Sequence, residues 1–142
     1  MKKICSLMFT ARIVSTCLMA QIPDGIKYLN YEKNKSAQVA FQKAYDANPK
    51  DPQAIYWLGQ SILATDGGDP TKTQVLAAKA IYQKGLKEVG RDPWLLVGMG
   101  HVEILEGGDV NYVEKRVEEG ITDEQEKKGK NRRRGQEGNR TE

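Results

Sequence analysis

A chain of 142 residues, 39% hydrophobic and 29% charged, is long enough for one domain with a useful core and has the composition of an ordinary soluble protein. Its net charge of +3 is unevenly placed: residues 1–20 carry three cations, residues 21–121 twelve cations and fourteen anions, and residues 122–142 seven cations and five anions. The body is mildly acidic and only the ends are basic, which argues against a nucleic-acid-binding core.

Residues 1–20 read first as a secretory signal. Met1-Lys2-Lys3 gives a positive start, a mostly apolar run follows, and Ala20-Gln21 offers a small residue before a polar one. Arg12 and Leu18 fit that reading poorly, so an uncleaved packing helix is the second reading. A lipoprotein box at Val14-Ser15-Thr16-Cys17 is the third. The run is too short and interrupted to span a bilayer, so no transmembrane segment is expected in the mature chain. Export to a periplasm or the exterior follows from the first reading, a cytoplasmic location from the second. Both cysteines, Cys5 and Cys17, lie here, and removal of the segment leaves neither a disulfide framework nor a Cys-ligated metal.

Beyond the leader, residues 21–50 hold a short helix around Ile26 and Leu29, then a stripe of Ala37, Ala40, Phe41, Ala44 and Tyr45 that stops before Asn48-Pro49. In residues 51–91, Asp51 caps a helix with Pro52 in its first turn, and Ile55, Leu58, Gly59 and Ile62 keep helical spacing. A second helix carries Val75, Ala78, Tyr82, Leu86 and Val89. Residues 92–121 begin again with Asp92-Pro93, followed by Leu96, Met99 and Leu105 and then by Val110, Val113, Val117 and Ile121. No segment alternates long enough to argue a strand, so the chain is read as all-α.

Gly59, inside an apolar helix, costs about 1 kcal/mol against Ala. Gly25 lies 34 residues before it and Gly100 41 residues after it, while Ala37, Phe41 and Ala44 recur 41 residues later as Ala78, Tyr82 and Gly85. A threefold repeat of helix pairs explains the cost: the glycine lets a neighbouring helix approach, with Ala78 as its small partner, and Phe41 and Tyr82 fill the space between successive pairs. Gly67-Gly68-Asp69 and Gly107-Gly108-Asp109 mark the turns, with Asp69 expected to cap the next helix and Pro70 to sit in its first turn. Asp66-Gly67-Gly68-Asp69 lacks the ligand ladder and terminal Glu of a calcium loop.

Leu58-Gly59, Ala78 and Tyr82, with Gly25, Tyr28, Ala37, Phe41, Ala44 and Pro49, resemble the pattern of the tetratricopeptide repeat family. The third unit keeps Gly100 but has Glu103 and Val113 where the family favours Tyr and Ala, and Trp57 lies two residues later than the family Trp. The resemblance implies an α-solenoid of about three helix-turn-helix hairpins that binds a protein or peptide segment on a concave face built from the first helix of each pair. That face would present Tyr56, Gln60, Leu63 and Ala64 from the second unit, and Trp94, Val97, His101, Ile104 and Leu105 from the third. The family's Lys and Asn clamp for a terminal carboxylate is absent, which favours an apolar or amphipathic partner.

Catalytic chemistry finds no foothold. His101 is the single histidine, with no nucleophile or second metal ligand at recognisable spacing, and the chain has no phosphate loop, zinc pattern or dinucleotide fingerprint. No catalytic, cofactor or metal residues are therefore assigned. Residues 122–142 contain no large apolar side chain and are expected to form a charged, disordered tail, even though Lys127 to Arg134 hold six cations. With no capping helix expected after Ile121, self-association through the last pair is the alternative to a binding scaffold.

Overall fold

The computed structural model describes residues 21–138, so the leader reading and both cysteines lie outside the described residues. The described chain is all helical, with no strand: α1 (Gln21–Asn30), α2 (Asn34–Ala47), α3 (Pro52–Leu63), α4 (Lys72–Val89), α5 (Pro93–Leu105) and α6 (Val110–Gly138). Each helix packs against the next in sequence, and α3 also packs against α5.

The helix starts are written in short-range chemistry. The Asp51 carboxylate accepts from the Gln53 amide at 3.0 Å and that of Asp92 from the Trp94 amide at 2.9 Å, each just before a proline whose missing N–H is not needed there. Asp109 does the same for the Asn111 amide at 2.9 Å. The α4 start departs from expectation. Thr71, not Asp69, is its cap, in a reciprocal capping box with Gln74, and Pro70 precedes the helix. Thr71 wins because Gln74 stands three residues on and can return a hydrogen bond to the Thr71 amide, whereas Asp69 has Lys72 at that spacing. Gln74 Nε2 also donates to the Ile62 carbonyl at 2.9 Å, which satisfies an orphan acceptor near the end of α3.

Two clusters make the core. Ala37, Phe41 and Leu58 join α2 to α3; Ile55, Leu63, Val75, Tyr82, Leu95, Met99 and Val102 join α3, α4 and α5. The glycines work differently from the expected small-on-small crossing. A Cβ at Gly59 would overlap the Tyr82 ring, as would one at Gly98 on α5, and a Cβ at Gly25 would overlap the Phe41 ring. The notch in the helix admits an aromatic ring from the second helix of the pair; Ala78 is buried nearby but does not face the notch. At Gly100 the same space is taken by Val113 and Val117.

The tail is the other departure. α6 runs unbroken through residues 122–138, where disorder was expected. That stretch is rich in Glu, Gln, Lys and Arg, all good helix formers, has no proline, and pairs Glu126 with Lys130 one turn apart at 3.6 Å. The expectation weighed only the lack of burial. Gly120 still packs tightly on Leu96, but the side chains described from Thr122 to Arg134 are exposed.

Candidate functional site

α3 and α5 lie side by side and each has one face that the core does not consume. On α5, Leu95, Leu96, Met99 and Val102 are buried, which leaves Trp94, Val97, His101, Ile104 and Leu105 outside. These positions recur at three to four residues, so they form one stripe. On α3, Tyr56, Trp57 and Gln60 are half-buried beside it.

At the start of α5 the stripe is aromatic. Trp94 leans on Tyr56 with ring centroids 5.1 Å apart, Tyr56 meets Trp57 edge-on at 5.1 Å, and Trp57 stacks on Phe41 at 5.6 Å. The ladder therefore runs from the buried Phe41 ring to the exposed Trp94 ring. Such contacts hold rings in place beyond what area alone provides, by about 0.5–1.5 kcal/mol a pair.

In the middle the stripe is polar. The Tyr82 hydroxyl donates to the Tyr56 carbonyl and accepts from Gln60 Nε2, both at 3.0 Å, and Gln60 Oε1 lies 3.2 Å from His101 Nδ1. With an amide oxygen as acceptor, Nδ1 must carry the proton, and the Nε2 of a neutral ring is left as an acceptor towards solvent. Burial raises the Tyr82 phenol far above its ordinary pKa; the Gln60 bond opposes this and the Tyr56 phenol adds to it. Burial also raises Tyr56. Both phenols therefore stay neutral donors at any physiological pH.

At its far end the stripe opens into a groove of about 500 Å³ between α5 and α6, walled by Val97, His101, Ile104, Val110, Val113 and Val117. Glu114 and Glu118 stand on the same wall of α6, both exposed. Val113 itself is covered, at 5% exposure, because Gly100 lets it press against α5; Val110, at 55%, is not.

Of the residues expected on the binding face, Tyr56, Gln60, Trp94, Val97, His101 and Ile104 share this continuous surface. Leu63 does not belong with them. It is 6% exposed and packs within the cluster of Val75, Tyr82 and Met99, so it is core. Its place at the last turn of α3, where α4 folds back over it, hides a side chain that helical periodicity alone would put beside Gln60. The sequence reading missed Trp57 as a support for Tyr56 and missed the Tyr82 hydroxyl as the polar hub, although the presence of Tyr rather than Phe opposite Gly59 was a signal for a buried hydroxyl seeking partners. It also missed the valine groove as a surface joined to the stripe.

The chain has no significant match among family models, curated proteins or solved structures. Among the described residues no group of three or more His, Cys, Asp or Glu could hold a metal ion, and no helix is long and apolar enough to cross a membrane.

Proposed function

We propose that this chain is a non-enzymatic protein- or peptide-binding scaffold, a tetratricopeptide-like array of three helix pairs whose stripe on α3 and α5 takes an apolar or amphipathic segment. One observation carries the reading. Trp94, Val97, Ile104 and Leu105 are 38–41% exposed along one face of α5, on a helix whose opposite face is fully committed to the core. A helix with apolar residues left over on a single outer stripe, next to an ordered polar trio, has the form of a recognition surface: apolar contact supplies affinity, and Gln60 with His101 supplies orientation. The repeat of ring-into-glycine contacts at Gly25 and Gly59 supports the array. Export of the protein is proposed with it, on the leader reading of residues 1–20 alone.

The test is titration of the full chain with a panel of amphipathic helical peptides, read by the fluorescence of Trp57 and Trp94. Binding that weakens at least about tenfold in Trp94→Ala, with little change in melting temperature, supports the stripe. Equal binding by Trp94→Ala and by a convex-face control, Leu76→Ala, removes it.

Self-association through the last helix pair is a second reading, favoured by the open valine groove. Light scattering decides it: a mass that rises with concentration supports assembly, and a constant monomer mass speaks against it.

A further inference from the structure

Between the first and second pairs, the space beside the Phe41 face of α2 is filled by Trp57 and Leu58 of α3; between the second and third, the space beside the Tyr82 face of α4 is filled by Leu95, Gly98, Met99 and Val102 of α5. The α5–α6 groove is the same space one pair further on. Its two neighbours in the series each receive a helix, so its shape suits a helix too, and no described element of this chain enters it.

The occupant must be apolar along one stripe and basic at its edge, because the groove wall is valine and isoleucine while Glu114 and Glu118 stand at the rim. Neither glutamate is in an ion pair among the described residues. A second copy stacked head to tail fits badly: its outer face at α1 and α2 is lined by Gln21, Asp24, Lys35 and Lys43, which would bury charge against valine. A second copy meeting tail to tail would set Glu114 and Glu118 against themselves. Residues 1–20 fit. Ile4, Leu7, Met8, Ala11, Val14 and Leu18 recur at three to four residues, and the segment carries Lys2, Lys3 and Arg12 with no acidic residue.

We infer that residues 1–20 of this chain dock as a helix in the α5–α6 groove, with their cations beside Glu114 and Glu118. The reach is sufficient. From α1 to α5 is two helix-to-helix steps of about 8–10 Å each, and 20 residues span about 30 Å as a helix. This takes the packing-segment reading of residues 1–20 over the cleaved leader, because the groove supplies the apolar surface and the opposite charge that a retained basic segment needs. It rests on the proposed array only in so far as Val97, His101 and Ile104 must face an open groove.

Cys5 and Cys17 are the chain's only thiols, so one introduced cysteine makes the contact measurable. The full-length chain with Val110→Cys at the groove mouth, treated with a short bis-maleimide, is expected to give a link within one chain to Cys5 or Cys17, about tenfold more than Leu76→Cys on exposed α4. Adding Glu114→Lys and Glu118→Lys lowers that yield. Equal yields at positions 76 and 110, links only between chains, or native protein that begins at Gln21 each overturn the inference. If the link fails while peptides still bind and Trp94→Ala still weakens them, the scaffold reading stands and this one falls.

Discussion

At the scale of single residues, the notches govern what can be exchanged. Gly59→Ala adds a methyl where the Tyr82 ring lies, so the overlap cost of about 1–3 kcal/mol exceeds the roughly 1 kcal/mol gained in helix propensity. The melting temperature should fall by several degrees. Gly129→Ala, which meets no atom within 4 Å on α6, should leave it unchanged or raise it slightly. Equal shifts for the two variants would show that the ring does not occupy the notch. Tyr82 also sets an alkaline limit. Its folded pKa is raised, so the stability it confers is whole below the unfolded value near 10 and is lost as pH rises from there towards the folded value, since the unfolded chain gives up the proton first. Thermal melts should therefore fall steeply above about pH 10, and Tyr82→Phe, which keeps the ring but cannot ionise, should reduce that slope. The phenol hydrogen bonds lost in Tyr82→Phe cost about 1 kcal/mol at neutral pH, with the Tyr56 carbonyl and Gln60 left to find other partners.

Among the elements, those whose ends and faces agree were legible beforehand. Asp51-Pro52 and Asp92-Pro93 set the starts of α3 and α5 because cap and proline act within one turn, and the stripes of α2 and α4 follow from spacing alone. What escaped was decided by competition or by distant packing. Thr71 outcompeted Asp69 through Gln74, the ring of Tyr82 rather than the methyl of Ala78 entered the Gly59 notch, and Leu63 was drawn inside by the return of α4. The later part of α6 was missed for a different reason, since helix propensity and an i,i+4 ion pair suffice where no burial is available. Such a helix stands on local terms only. Truncation after Ile121 should remove far-ultraviolet helical signal in proportion to the residues lost, yet shift the cooperative melt by no more than about 2–4 °C, the size of a surface change of roughly 0.5 kcal/mol. A larger shift would mean that residues 122–138 pack on the body. Thr71→Ala, by contrast, removes a capping box that also anchors Gln74 to α3, and should cost about 1–2 kcal/mol in a denaturant titration.

For the whole molecule, two binding modes can be separated by salt because charge and apolar surface lie in different places. The stripe on α3 and α5 holds Tyr56, Gln60, Trp94, Val97, His101 and Ile104, with no fixed charge among them, whereas Lys127, Lys128, Lys130, Arg132, Arg133 and Arg134 gather on the exposed part of α6. Contact through the stripe depends on apolar burial and short hydrogen bonds, which salt screens little. Contact of a polyanion with the tail depends on counterion release and weakens steeply, by about 10³–10⁵ between 50 and 200 mM salt for six to ten phosphate contacts. Binding of an apolar helical peptide should thus change by less than about threefold over that range and survive deletion of residues 122–142, while heparin or single-stranded nucleic acid, if retained at low salt, should be lost on either change. A peptide affinity that collapses with salt and disappears with the tail would place recognition on α6 and take it away from the aromatic stripe.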